Sequence, residues 1–276
     1  MKKLLIKFFI FNVFIIYSGK AITQTNYYDI DSLKKLLIAQ KEDTERANTL
    51  DLLSGDYFHN DDYENTLKSA QVLLLLSIKL HYVQGIVYGY ADIAQAYALK
   101  QDRISEFKYF DSSLVYAKKN GNAQNIIDAY DYMSSGYELI GDYGRRLECD
   151  LNSLKIKKQT GDRAIIADGY MRLARSYFAL SDDFNGKINV ASALELYKRL
   201  HNKQSIATCY IFYGENYLNQ GEYDKALGQY YAALQVFKED PINLNIPNIY
   251  SFIGNVYKSR GDSAYNKHNK PNAIKN

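Results

Sequence analysis

The chain has 276 residues, of which 47% are hydrophobic, 14% are aromatic and 24% are charged, and its 34 basic and 31 acidic residues give a formal net charge of +3. Four basic residues and no acidic ones lie in the first 21 positions, so the remainder is nearly neutral, at 30 minus 31, or −1. A nearly neutral protein has no overall field that attracts nucleic acid or anionic lipid, which excludes a binder that relies on bulk charge for either.

The amino terminus has the pattern of a secretory signal peptide. An almost wholly apolar stretch runs over residues 4–17, interrupted by Lys7, and residues 19–21 offer a small-x-small cleavage pattern. The alternative is a retained membrane anchor, but the stretch is shorter than the roughly 20 apolar residues that a spanning helix needs. We therefore expect residues 1–21 to be cleaved, and the mature protein to be exported to the periplasm or the extracellular space without stable membrane insertion.

Residues 22–45 are predicted to form a linker and a capping helix. The apolar residues between Asp29 and Ile38 fall at helical spacing, and Asp31 or Ser32 is expected to be the N-cap. The repeats are expected to begin directly after this segment.

Residues 46–276 repeat with a period of about 40 residues, a length typical of helical repeat proteins. Three series of large residues keep this spacing, each at its own position in the repeat. A fixed period in this range indicates a solenoid, in which neighbouring repeats share a hydrophobic core, so we expect these tyrosines and leucines to pack between helices rather than to bind sugars or bases. The series are Tyr57, Tyr97, Tyr137, Tyr177, Tyr217 and Tyr257; Leu50, Tyr90, Tyr130, Tyr170, Tyr210 and Tyr250; and Leu74, Leu114, Leu154, Leu194 and Leu234.

Each repeat is predicted to be a hairpin of two antiparallel helices. In the second copy, apolar and small residues fall at helical spacing over residues 84–100 and again over residues 104–119. Turn-forming pairs lie between the two helices, and a small residue recurs where the helices approach closely. The turn pairs are Gln101-Asp102, Gly141-Asp142, Gly221-Glu222 and Gly261-Asp262, and the small residues are Ser54, Ala94, Ser134, Ala174, Gly214 and Gly254.

The fifth copy resembles the tetratricopeptide repeat. Its first helix carries Gly214 followed by Tyr217, and a Gly-x-Tyr-x-x-Ala turn from Gly221 to Ala226 leads into its second helix. The resemblance implies an all-α fold, a right-handed superhelical α-solenoid of antiparallel helix hairpins with six repeats of roughly 40 residues each, of which the last is incomplete. With the amino-terminal segments, these repeats resemble the extracytoplasmic region of tetratricopeptide sensor histidine kinases and related regulators.

In this family the first helices of successive hairpins line a concave groove, and the resemblance places the ligand-facing positions by register. The paired lysine and asparagine of the carboxylate clamp, which holds the terminal carboxylate of a peptide, do not occur at these positions. Their side chains change from acidic to basic to aromatic instead, which suits an extended peptide or a partner helix, whereas the competing interpretation is a solvated helix face. The candidate groove contacts are Tyr88, Asp128, Asp131, Asp168, Arg172, Arg175, Phe178, Glu215 and Asn255.

The sequence contains no motif typical of catalysis, metal binding or cofactor binding. The four histidines lack metal-ligand spacing, and no phosphate-binding loop or nucleophile elbow is present. Cys149 and Cys209 are separated by a whole repeat, so we expect two free, buried thiols instead of a disulfide. We predict no catalytic residue, no metal and no cofactor.

Two functions fit these observations. The first is a non-catalytic scaffold, exported from the cytoplasm, that binds a protein or peptide partner and not nucleic acid. The alternative is a ligand-sensing ectodomain fragment of a membrane signalling protein, a histidine kinase or transcriptional regulator, without its output domain. A third, an enzyme acting on envelope polymers, requires a convergent acid pair such as Asp128 and Asp168 and is the least favoured.

Overall fold

The computed structural model describes residues 29–238 and 245–269, with side chains as far as Gly261, so the predicted signal peptide lies outside the described residues. In these ranges every regular element is an α-helix, as predicted. The helices are α1 (Ile30–Ala39), α2 (Thr44–His59), α3 (Tyr63–Lys79), α4 (Val83–Leu99), α5 (Arg103–Asn120), α6 (Ala123–Leu139), α7 (Tyr143–Thr160), α8 (Arg163–Ala179), α9 (Asp183–Arg199), α10 (Lys203–Asn219), α11 (Tyr223–Val236) and α12 (Ile246–Asn269). None of the described helices is long and apolar enough to cross a bilayer.

The chain divides into two compact units, with the division after Gly136 in α6. Unit 1 extends to Gly136, and unit 2 begins at Tyr137. In each unit, consecutive helices pack as antiparallel hairpins, which confirms the predicted repeat architecture. We call α2, α4, α6, α8, α10 and α12 the first helices, and α3, α5, α7, α9 and α11 the second helices.

The corners between helices recur at every half period, twice as often as the sequence repeat. Each contains one residue in the left-handed backbone region, and the next residue is usually an aspartate or asparagine whose side chain caps the following helix. Glycine reaches this conformation without strain, but it occupies only some of the corners. The corner residues in the described ranges are Asp61, His81, Gln101, Gly121, Gly141, Gly161, Ser181, His201 and Gly221.

Two predicted details at the ends of the repeat region are wrong. The N-cap of α1 is Asp29, not Asp31 or Ser32, since its carboxylate accepts the backbone N–H of Ser32 at 2.7 Å. The predicted turn at Gly261-Asp262 is absent, because α12 continues through it to Asn269.

The tyrosine series packs between helices in five of its six members, as predicted. Tyr57 and Tyr137 are buried, and Tyr97, Tyr177 and Tyr217 are partly buried. In unit 1 the ring of Tyr97 stacks on Tyr109, with centroids 5.5 Å apart. The series fails only at Tyr257 of α12, which is 52% exposed, and the last member of the second series, Tyr250 of the same helix, is 59% exposed. No further helix of the described residues follows α12.

Small residues allow the helices of a hairpin to approach closely. Ser54, Ala94, Ser134 and Ala174 are at most 1% exposed, as expected for the small position of the repeat. At Gly214, an added Cβ would lie 2.6 Å from the Tyr230 ring, so only glycine fits there.

Both cysteines are buried and neither forms a disulfide, as predicted. The Cys209 thiol lies 3.6 Å from the sulfur of Met171. Burial raises its pKa to about 12, with Asp168 contributing, so this thiol stays protonated and unreactive at neutral pH.

Candidate functional site

Three aspartates from three successive first helices form an acidic cluster in unit 1: Asp51 of α2, Asp92 of α4 and Asp128 of α6. Asp92 is only 2% exposed, and its Oδ2 atom has no hydrogen-bond partner. Asp51 and Asp128 are partly buried and interact electrostatically with each other. Like charges that are withdrawn from water in this way favour the neutral form of the carboxyl groups.

The cluster accordingly has perturbed proton affinities. Burial raises the pKa of Asp51 to about 7, and the charge of Asp128 adds to the effect. Burial and the neighbouring Asp51 raise the pKa of Asp92 well above its ordinary value, although the Ser54 hydroxyl partly opposes this. The carboxyl groups of Asp51 and Asp92 therefore hold their protons to a higher pH than free aspartates do.

Two tyrosines enclose the acidic cluster. The Tyr88 hydroxyl donates to Asp128 Oδ2 at 2.9 Å and accepts from Gln84 Nε2 at 2.7 Å. The Tyr132 ring meets Tyr88 edge to face, with centroids 5.8 Å apart. Burial raises the pKa of Tyr132, and all three carboxyl groups of the cluster add to that rise, which places this phenol among them.

Only part of this site is predictable from the repeat register. The predicted contacts include Tyr88 and Asp128, which the structure joins, and Asp131, which is partly buried and whose carbonyl accepts the Ser135 hydroxyl at 2.9 Å. They do not include Asp51 and Asp92, because Asp92 lies one residue out of the repeat register of Asp51. The three aspartates can be aligned by subtracting 40 residues for each repeat, which gives positions 51, 52 and 48 of the first copy. These positions share one helix face, and that shared face is the signal that could have identified the cluster.

In unit 2, three side chains on α8 and α10 form a mixed cluster of charge and aromatic surface. The Arg175 guanidinium lies 4.7 Å from the centre of the Phe212 ring. Glu215 is next to it, and burial raises the pKa of Glu215 to about 7 although Arg175 opposes the shift. The structure thus brings together Arg175 and Glu215, two of the predicted contacts.

Two further predicted contacts in unit 2 are held against second helices. The buried Tyr197 hydroxyl of α9 donates to Asp168, and burial and this carboxylate together raise the pKa of Tyr197. Arg172 Nε donates to Oδ1 of the buried Asp150 of α7 at 3.2 Å. Both contacts connect the two layers of helices in unit 2.

The other two predicted contacts have different surroundings. The ring of Phe178 fills the space at Gly186, where an added Cβ would overlap ring atom Cε1. This side chain therefore packs within its hairpin and is not available as a groove contact. Asn255 is exposed on α12, as a solvated helix face requires.

The described residues contain no group of three His, Cys, Asp or Glu side chains that could hold a metal ion. The carboxyl groups of Asp51, Asp92 and Asp128 offer hydrogen-bond acceptors.

Comparison with known proteins identifies the fold. No protein-family profile matches the sequence, and no curated protein is similar enough in sequence to count as a relative. Among solved structures, BtubC (BKLC) from P. vanneervenii superposes with a TM-score of 0.62 at 20% identity, over 72% of this chain and 85% of that one.

Two further structures carry tetratricopeptide repeats. A Signal Transduction ATPase with Numerous Domains from Pyrococcus horikoshii, described as having a tetratricopeptide repeat sensor, has a TM-score of 0.59 at 16% identity, over 84% of this chain and 36% of that one. A Podosopora anserina putative kinesin light chain with TPR-like repeats has a TM-score of 0.56 at 12% identity, over 73% and 100%. The chain therefore has a tetratricopeptide-repeat-like helical fold.

Proposed function

We propose that this chain is a non-catalytic scaffold that binds a protein or an extended peptide through the first helices of its hairpins. One observation supports this most directly: in unit 2, Arg175 lies over the Phe212 ring beside Glu215, on two adjacent first helices. A solvated helix face would leave such charges exposed, whereas Arg175 and Glu215 are partly buried. Arginine and aromatic side chains in such settings are typical anchors of protein interfaces.

The carboxyl groups considered for catalysis support the non-catalytic part of the proposal. Asp128 accepts hydrogen bonds from Tyr88 and from Gln124, and Asp168 accepts one from Tyr197. Both carboxyl groups are thus already engaged in hydrogen bonds within the fold.

The test is a charge reversal at Arg175. We expect Arg175→Glu to abolish capture of the partner from an extract of the native organism, when the full chain is the bait. Arg199→Glu is the matched control, because it makes the same charge change in the same unit on an exposed arginine that pairs with its helix neighbour Glu195. Equal capture by the two variants, with thermal unfolding showing both folded, would remove the support for this surface.

We also propose that the protein is exported. This rests on residues 1–21, whose basic start, apolar stretch and small-x-small site have the composition of a signal peptide. Expression in a bacterial host followed by fractionation and amino-terminal sequencing tests it. A mature form that begins close to residue 22 and lies outside the cytoplasm is expected, and an intact amino terminus in the cytoplasm would contradict the proposal.

A second candidate is the ligand-sensing ectodomain of a membrane signalling protein. It is favoured by the likeness to a protein whose repeats are described as a sensor. The genomic sequence downstream of this coding region distinguishes the two: continuation into a spanning segment and a kinase or DNA-binding domain favours the sensor, and an independent downstream gene favours the scaffold.

A further inference from the structure

The acidic cluster of unit 1 has an unusual chemical environment. The ionisable groups that act on Asp51 are all acidic, namely the carboxyl groups of Asp92 and Asp128 and the phenols of Tyr82, Tyr88 and Tyr132. Among the described residues, no lysine or arginine contributes to the electrostatic environment of Asp51 or Asp92. Burying like charges without a counter-charge destabilises the folded state.

The cluster also contains an acceptor that is not used in the fold. Asp92 Oδ2 is buried without a hydrogen-bond partner, which is uncommon, because most buried polar atoms are satisfied. Its neighbour Asp51 is only partly buried. A donor that entered beside Asp51 would therefore reach an oxygen atom that the folded chain leaves unsatisfied.

The walls of the cluster restrict what the donor can be. The rings of Tyr88 and Tyr132 meet edge to face, and an aromatic ring attracts a cation to its face. A metal ion is disfavoured, since these side chains are not arranged as metal ligands. A guanidinium or ammonium group has several N–H donors, carries the missing positive charge and can lie against tyrosine rings.

We propose that the acidic cluster of Asp51, Asp92 and Asp128 is the subsite that receives a cationic side chain, arginine or lysine, of the peptide or protein partner. This rests on the proposed scaffold function and assigns one chemical feature to its partner. Bound there, the cation is paired with ionised carboxylates, so protons leave the cluster when it binds. Affinity consequently increases as the pH rises towards 8.

The test uses the full chain and two capped tripeptides, acetyl-Ala-Arg-Ala-amide and its citrulline analogue. Citrulline has nearly the shape of arginine without its charge. Isothermal titration calorimetry at pH 8 is expected to show saturable binding of the arginine peptide, with the citrulline peptide at least about tenfold weaker. Equal affinity for both peptides, or no saturable binding of the arginine peptide, would overturn the proposal.

Two substitutions locate the binding. Asp51→Asn is expected to weaken the arginine peptide at least about tenfold. Asp92→Asn is a second variant that keeps the shape of the buried side chain and should act in the same direction. The matched control is Asp56→Asn, which removes a charge from a partly buried aspartate of the same helix outside the cluster and should leave the affinity within about twofold. Unchanged binding in both cluster variants would overturn the proposal.

Failure of the cationic subsite can be distinguished from failure of the scaffold proposal. Partner capture that depends on Arg175, together with no discrimination between arginine and citrulline, refutes the cationic subsite alone. Loss of that dependence, together with selective binding of the arginine peptide at Asp51, refutes the role of the unit 2 surface alone.

Discussion

Asp150 of unit 2 and Asp92 of unit 1 are two buried carboxyl groups with opposite surroundings. In unit 2, Asp150 is 1% exposed, accepts from Arg172 at 3.2 Å and from the Ser176 hydroxyl at 2.6 Å, and lies beside Arg146. In unit 1, Asp92 is almost equally buried, yet it faces Asp51 and has an oxygen atom without a partner. A paired carboxylate supports the fold, whereas carboxyl groups that face one another cost stability and are better explained by a ligand.

The difference between Asp92 and its surroundings in other copies is visible in the sequence at one repeat position. The position of Asp92 in the second copy holds Tyr132 in the third, Arg172 in the fourth and Phe212 in the fifth. The backbone of a first helix is thus reused while the side chain at this position changes from acidic to aromatic and basic. The repeat therefore keeps its packing positions and leaves this position free to vary.

The largest expected effect is the loss of charge pairing in unit 2. Arg146 is buried, pairs with Glu138 at 2.9 Å and lies 3.8 Å from Asp150. Arg146→Met should lower the free energy of unfolding by about 3 kcal/mol, because breaking a buried pair leaves an uncompensated charge. Urea denaturation measures this. Arg145→Met, at the neighbouring exposed arginine, should lower the free energy of unfolding by less than about 1 kcal/mol. Similar losses of stability in the two variants would contradict the importance of the buried charge pair.

The second-largest expected effect concerns the packing of the Phe178 ring against Gly186 in unit 2. Gly186→Ala should lower the free energy of unfolding by about 2 kcal/mol, because the new Cβ meets the Phe178 ring. The fifth copy has Leu218 and Ala226 at these positions, so adding Phe178→Leu should restore much of the loss. Absence of rescue in the double variant, measured by the same urea denaturation, would show that the two positions are not complementary.

The third prediction concerns the pH dependence of unit 1. Because the pKa of Asp51 is raised to about 7, the folded state holds a proton that the unfolded state releases near pH 4, so stability falls as the pH rises from about 4 to 7. Asp51→Asn should therefore raise the free energy of unfolding at pH 8 by about 2 kcal/mol, after allowance for partial exposure. Thermal unfolding between pH 5 and pH 8 tests this.

In the same experiment, part of the pH dependence should remain in Asp51→Asn because the pKa of Glu215 is also raised to about 7. A lower stability of Asp51→Asn at pH 8 would show that the acidic cluster supports the fold, in the way that Asp150 does in unit 2.

The smallest effect tests a feature that the units share, the left-handed corners. Gly221→Ala should lower the free energy of unfolding by about 1 kcal/mol, since alanine is strained at a φ of 74°. Gln101→Gly in unit 1 should raise it by about 0.5 kcal/mol, because relief of strain exceeds the added entropy of the unfolded glycine. Thermal unfolding measures the change in stability of each variant. If both variants changed stability in the same direction, the corners would not be equivalent.

Most of the helical architecture could be predicted from the sequence, and the reasons are local. Tyr97 and its equivalents recur once in every repeat because each hairpin must present a large side chain to its neighbour at the same place. The corners at every half period were only partly recognised, because Asp61, His81 and Ser181 adopt the left-handed conformation without being glycine. Phe178 was placed in the groove because its register matched, but the nearby Gly186 draws its ring into the hairpin.

The sequence by itself determined the hairpins, the period and the buried small and aromatic positions, since packing repeats wherever the same helices meet. Only the tertiary structure decided which polar groups of the first helices come together. Asp51, Asp92 and Asp128 are far apart in the chain and out of register, and they meet because adjacent helices turn corresponding faces towards one another. Likewise Asp92 remains without a counter-charge while Asp150 has one, because that outcome depends on the side chains supplied by the neighbouring helices.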